Sequence, residues 1–213
     1  MSGFFPDIRA AEGALQQEAF TRWQSMGDLR RREHWRWTPL DALRDDARRV
    51  ESADYPFDLP DAIGEDFGIY ADADRALLAL DDAAFAALNV ALQREALLLT
   101  VPDGADLDDI AALNIDLLAR RLQTSRIHIR ADKNSRSAFW IDYRVSRRGA
   151  QLPVITVDAA DGAQVDVALW FQGESGTAQV AQAAVQQANN SRVRLNALQA
   201  GGDLLRLDIH SEL

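Results

Sequence analysis

A recurrence close to 28 residues constrains this chain more than any other feature of its sequence. The turn-prone pairs Asn134-Ser135, Gly162-Ala163 and Asn190-Ser191 stand 28 residues apart, and Gly104-Ala105 lies 30 before the first of them. Ahead of each turn sits a short alternating stretch: Ile127 and Ile129, then Ile155 and Val157, then Ala183 and Val185. Behind each turn another begins: Ser137, Phe139 and Ile141, then Val165, Val167 and Leu169, then Val193, Leu195 and Ala197. Alternation with period two is the signature of a strand with one buried face. A fixed repeat of such units is the signature of stacking. Together they predict a parallel β-solenoid in which each coil turns one apolar set inward and pairs its backbone with the coils beside it. Asn, Gly and Ser fall at the corners because the chain must bend sharply there. An antiparallel sandwich with similar strand lengths is the competing arrangement.

The register also assigns an outer face. Arg130 is expected beside Asp158, and Asp166 beside Arg194, on neighbouring coils. Trp140 and Trp170 fall on outward positions of the second set of strands. They pack against the N-terminal helices or a long connection, or they form a partner surface, since exposed apolar patches mark contacts.

The first 94 residues read differently, and the chain divides into an N-terminal helical domain with an acidic connector over 1–94 and a partial solenoid over 95–213. Pro6-Asp7 supplies a start signal, and Ile8, Ala11, Leu15, Ala19 and Trp23 recur at helical spacing as far as Gly27. Thr38 followed by Pro39 suits an N-cap, with a short helix from Leu40 to about Val50. The arginines at 30–32, 44, 48 and 49 are interleaved with acids and read as a solvated helical face rather than a phosphate site. Residues 51–70 are rich in Pro, Gly and acids and read as a connector. Helices are expected near 72–80 and 81–93, with Asp72 and Asp81 as caps and Phe85, Leu88 and Leu92 as one apolar stripe. The expected fold is therefore α+β: helices, then an incomplete right-handed β-helix of about four coils.

Charge and composition exclude several functions. The 213 residues carry a net charge of −10. Between Glu51 and Ala119 only Arg75 and Arg94 oppose the acids. That is the reverse of the concentrated basic face a nucleic-acid binder needs. No apolar run approaches the roughly 20 residues that cross a bilayer, and the N-terminus has no signal-peptide pattern, so the cytoplasm is the default address. There is no cysteine, hence no disulfide, thiolate nucleophile or thiolate ligand. His34, His128 and His210 are far apart in the repeat and read as surface or ladder residues rather than a metal set. Asp106, Asp108 and Asp109 form the best carboxylate cluster for sugar cleavage, but they sit beside the first corner and read as a solvated loop. No nucleophile elbow or phosphate loop occurs, and Gly173-Glu174-Ser175-Gly176 reads as a turn. The chain is expected to have no catalysis of its own and to bind no cofactor or metal.

Three stretches resemble the SufB/SufD family of iron–sulfur cluster assembly scaffolds. Arg32-Glu33-His34-Trp35-Arg36-Trp37-Thr38-Pro39-Leu40 is similar to the family's R-x-E-x-W-R/K-Y-T-x-L segment, with Trp37 in place of the usual tyrosine. Phe85 to Leu92 followed by Leu97 to Gly104 resembles the family's entry from helices into the first coil. Ala200-Gly201-Gly202-Asp203-Leu204-Leu205-Arg206-Leu207-Asp208-Ile209 is similar to the SufD G-G-x-x-S/A-R-x-D/N-L stretch. The resemblance implies a SufD-like, non-catalytic scaffold with SufB-like and SufC-like partners, in a complex whose cargo is an iron–sulfur cluster. Family members typically run to about twice this length, so the chain is expected to be a fragment or a shortened paralogue. No ligand residue carries over. Leu205, Leu207 and Ile209 fall at the open end and are expected to self-associate or be covered by a partner. The alternatives are a β-solenoid interaction module unrelated to cluster assembly and a carbohydrate-active solenoid enzyme.

Overall fold

The solenoid repeat folds into two facing parallel sheets. The computed structural model describes residues 9–43, 49–80 and 83–212. The first sheet is built from β4 (Ala96–Val101), β6 (Arg121–Ala131), β8 (Ala150–Ala159), β10 (Ala178–Gln187) and β12 (Leu204–Glu212). The second is built from β5 (Asp106–Leu117), β7 (Arg136–Val145), β9 (Gln164–Gly173) and β11 (Arg192–Gly201). Successive strands alternate between the sheets, so each coil contributes one strand to each, and neighbouring coils pair in parallel. The register is the one the repeat predicts. Ile127, Ile155, Ala183 and Ile209 align across the first sheet, and Phe139, Val167 and Leu195 across the second. An antiparallel sandwich is excluded by this pairing.

The inward residues form one continuous core that includes Ile127, Phe139, Ile141, Ile155, Val167 and Leu169. Tyr143 and Phe171 stack within it at 5.2 Å and 10°. Full burial raises the Tyr143 phenol above its ordinary value despite a 3.4 Å contact with the Ser125 hydroxyl. The corners bend through left-handed backbone at Gly104 (φ 68°), Asn134 (54°), Gly162 (73°) and Asn190 (58°). The 30-residue spacing of the first coil has a local cause. Asp106 pairs with Arg136 but Ile110 pairs with Ala138, so a bulge absorbs two extra residues between them.

The opposite corner repeats a different device. Glu174 Oε2 accepts the Arg147 backbone N–H at 3.3 Å, and Asp203 Oδ1 accepts that of Gly176 at 2.8 Å. Side chains thus satisfy backbone groups that the turns leave unpaired. Gly173-Glu174-Ser175-Gly176 is a turn, as its composition suggests.

Helices cover the outer face of the first sheet. α1 (Ala14–Ser25) and α3 (Ala84–Leu92) pack Leu15, Ala19, Trp23, Phe85 and Leu88 against Leu122, Leu152 and Val180. α2 (Ala71–Ala79) lies beside them. The first helix begins at Ala14 rather than near residue 7. Gly13 holds φ 136°, which interrupts helical backbone, and Ala11 instead donates its N–H to Ala91 O at 2.8 Å. Its predicted start at Pro6, Asp7 and Ile8 lies outside the described residues.

Several expectations for the N-terminal segment fail. Leu40–Leu43 forms one turn of 3₁₀ helix, and β1 (Arg49–Ser52) is a strand, not the end of a helix. It pairs with the N-terminal half of β6 (Arg49↔Arg121 to Ser52↔Thr124), while β4 occupies the C-terminal half of the same edge. A vacant strand edge satisfies more backbone than an exposed helix end does, so tertiary context overrides local propensity. Among the described residues of the basic run, Arg31 ends a 3₁₀ turn and Arg49 begins a strand, so these share no helical face; Arg44 and Arg48 lie outside the described residues. The acidic connector is likewise more than a linker. β2 (Phe57–Asp58) and β3 (Gly64–Gly68) add antiparallel strands to β5 and β4. Asp72 falls within the first turn of α2 rather than at its cap, α3 carries no side-chain cap, and Asp81 lies outside the described residues.

Candidate interaction surface

Among the described residues, the helices pack on the first sheet and none covers the outer face of the second. Its outward positions follow the pleat, so they read in columns across the coils. One column runs Asn114, Asp142, Trp170, Leu198, and its neighbour runs Ala112, Trp140, Ala168, Asn196. The small Ala168 opposite Trp140 leaves room for the two indoles to meet edge-to-face at 5.7 Å and 81°. Trp140 is 39% exposed, and Leu198 and Ile110 are also exposed large apolar residues on this face. Beside the indoles, Asp142 is buried. It accepts two hydrogen bonds from Arg144 at 2.6 and 2.9 Å and one from Gln172 at 2.7 Å. That carboxylate raises the Arg144 guanidinium above its ordinary value, first through the hydrogen bonds and then through charge. The tryptophans therefore stand together outward, beside a carboxylate held in a fixed geometry, and not beneath the N-terminal helices.

Leu205, Leu207 and Ile209 are brought to the free edge of the first sheet. Leu205 and Leu207 are half-buried and Ile209 is 54% exposed. Val193, Leu195 and Leu207 pack against the core from one side only, and β11 and β12 offer unpaired ladder edges among the described residues.

Two polar systems escaped the sequence reading. The first is a glutamine ladder inside the solenoid. Gln179 Nε2 donates to Gln151 Oε1 at 2.6 Å, and Gln151 Nε2 donates to Gln123 Oε1 at 2.8 Å. All three residues are buried, and the 28-residue repeat would have revealed them had the polar positions been aligned with the apolar ones. The second is a buried charge cluster under α2. Arg126 Nε lies 2.9 Å from Asp74 Oδ1, both side chains fully buried. Arg126 also donates to Asn89 Oδ1 and to the carbonyls of Gln93 and Arg94, so it joins α2, α3 and β6. Burial lowers the Arg126 guanidinium and the Asp74 charge opposes that shift.

His128 belongs to this cluster and is not a surface residue. Its Nε2 is 3.5 Å from Asp74 Oδ1, and its Nδ1 contacts the hydroxyl of its ladder neighbour Thr156. It is outward on the strand but roofed by α2. His210 occupies the same column, beyond Ala184. His34 lies on the N-terminal segment, where its carbonyl accepts from Arg206. Asp106, Asp108 and Asp109 are all exposed on or beside the bulge of β5. Asp166 and Arg194 close an ion pair at 3.3 Å. Arg130 and Asp158 share a register but close none among the described residues. Among the described residues no three His, Asp or Glu side chains converge as metal ligands, and no helix is long and apolar enough to cross a membrane.

Comparison with known proteins agrees with this architecture. Residues 115–213, from the end of β5 through β12, match the family model described as SUF system FeS cluster assembly, SufBD core domain. No curated protein matches the chain.

Proposed function

We propose, from the match of residues 115–213 to the SufBD core domain of SUF system FeS cluster assembly, that the chain is a SufD-like scaffold subunit of the SufB/SufD family that positions partners and performs no catalysis of its own. The observation that carries this reading is the coincidence of the family match with the stacked coils, over residues 115–213. These 213 residues contain no cysteine and so offer no thiolate to a nascent cluster, which is cargo of the assembly. SufB-like and SufC-like chains are the partners this role requires, and the cytoplasm is where it operates.

Two surfaces suit partner binding. The Trp140–Trp170 face offers rigid aromatic contact area beside an ordered Asp142–Arg144 pair, the combination that concentrates binding energy at interfaces. The edge of β11 and β12, with Leu205, Leu207 and Ile209, offers backbone groups to further strands from a partner or a second copy. Deleting the gene tests the role. Cluster-dependent enzymes lose activity while their polypeptides remain at normal levels, and re-expression of this chain restores them. Unchanged cluster-dependent activities under iron limitation would reject the proposal.

A further inference from the structure

A cleft of about 340 Å³ opens between the end of β1, β3 and the segment that enters β4. Its origin is a gap on the edge of β6. β1 pairs as far as Ser52↔Thr124 and β4 begins at Leu97↔Ile127, which leaves Ser125 and Arg126 between them. The Tyr55 phenol fills this gap and accepts the Arg126 backbone N–H at 2.9 Å. Gln93, just past α3, donates from Nε2 to the same phenol oxygen at 3.0 Å and to the Glu95 carbonyl at 2.7 Å. Both amide hydrogens are thereby used, and reversing the amide would set Oε1 against the Glu95 carbonyl. Gln93 is 4% exposed and lines the cleft, yet its Oε1 has no donor among the described residues. A buried acceptor without a donor has lost its hydration and gained nothing in return.

The other lining groups select the ligand. Tyr55 and Phe67 form an aromatic wall, their ring centres 5.7 Å apart at 50°, and Phe67 is exposed. Asp54 and Glu95 stand exposed at the mouth with a single guanidinium, that of Arg94, so the lining is net negative. Arg126 lies behind Gln93, but Asp74 meets its charge. The carboxylates of the described residues do not converge as a metal site. An ammonium is a compact, strongly hydrated point charge. A guanidinium is a weakly hydrated plane that stacks on an aromatic face and donates edge-on in several directions. The cleft offers what that plane needs: a ring face, a neutral acceptor at depth and carboxylates at the mouth. We propose that this cleft binds a guanidinium group, with one N–H on Gln93 Oε1, its face on Phe67 and its charge met by Asp54 and Glu95. The group arrives as an arginine side chain of a partner protein or as free arginine. The inference is independent of the scaffold role.

Titration of the ¹⁵N-labelled full chain with N-acetyl-L-arginine amide at constant ionic strength tests it, followed through the Gln93 side-chain amide and the backbone amides of Asp54, Phe67 and Glu95. The expected result is saturable shifts confined to these groups and their neighbours. The lysine analogue keeps the charge without the plane, and the citrulline analogue keeps the plane without the charge. Each should bind about tenfold more weakly, the equivalent of one charged hydrogen bond. Phe67→Ala should weaken binding about two- to fivefold. Asp54→Asn with Glu95→Gln should weaken it by about tenfold or more. All three side chains are exposed, so these variants keep the fold. A parallel titration with L-arginine separates the sources: tighter binding of the free amino acid assigns a metabolite, and equal or weaker binding assigns a partner's side chain. Absence of saturable shifts at Gln93 overturns the proposal. So does equal binding of the lysine or citrulline analogue, or full affinity in the charge-neutral double variant.

Discussion

The guanidinium of Arg206 lies 3.8 Å from the ring centre of Trp35, across most of the length of the chain. It also donates to the His34 carbonyl at 2.7 Å and the Thr38 hydroxyl at 2.5 Å while pairing with Asp208 at 2.8 Å. The last strand of the solenoid is thereby tied to the segment that precedes it all. Two of the three stretches that resemble the SufB/SufD family meet at this one side chain. A planar fork that stacks and donates in several directions is specific to arginine. Arg206→Lys is expected to keep the charge but lower stability by about 1–2 kcal/mol. Limited proteolysis checks the consequence: cleavage within residues 27–43 should accelerate before the solenoid strands are cut.

The Asp74–Arg126 pair carries a larger penalty. Removing one partner leaves the other charge buried without compensation, which typically costs about 3–5 kcal/mol. Asp74→Asn and Arg126→Met should each approach that cost in urea unfolding. The double variant Asp74→Leu/Arg126→Met should recover much of it. A double variant no more stable than the singles would show that Arg126 acts mainly through Asn89 and the α3 carbonyls.

The glutamine ladder ends without a donor for its last acceptor. Gln179 Oε1 is buried and has no hydrogen-bond partner, and Leu205 is the next residue in its column. Leu205→Gln is expected to extend the ladder by one rung and leave thermal stability unchanged or raised. Gln151→Leu removes the middle rung and should cost about 1–3 kcal/mol, because it strands groups on both neighbours. Parallel thermal melts of the two variants decide the point.

Glycines at the corners differ in what they tolerate. Gly104 has φ 68° and open space around it, whereas a Cβ on Gly201 (φ 78°) would meet the Gly173 carbonyl oxygen at 2.0 Å. Gly104→Ala should cost only the left-handed backbone term of about 1–2 kcal/mol. Gly201→Ala must also displace the adjacent coil and should lower the melting temperature further, with the loss confined to β9, β11 and β12 in hydrogen exchange.

Much of this fold was legible because the repeat is carried by side chains that face one core. Ile127, Ile155 and Ala183 share a burial environment, so their identities reveal their alignment. The outward positions of Trp140 and Trp170 followed from the same alternation. What stayed hidden depended on partners distant in sequence. Nothing local to Arg49–Ser52 announces the vacant edge of β6. His128 reads as a surface or ladder residue; it is a ladder residue, beside Thr156, and its burial under α2 stayed hidden because helix placement is a tertiary fact that strand periodicity does not encode. The role of Arg126 likewise needs α2 and α3 in place before its charge has anywhere to go.

The scaffold role is tested most directly by co-expressing the chain with the SufB-like and SufC-like subunits of its own organism and measuring the mass of the purified assembly by native mass spectrometry. The expected result is one discrete complex containing this chain in fixed stoichiometry, weakened by Trp140→Ala with Trp170→Ala or by charge at Ile209. A partner complex that forms at full mass without this chain, which itself remains folded and unassociated, would contradict the account.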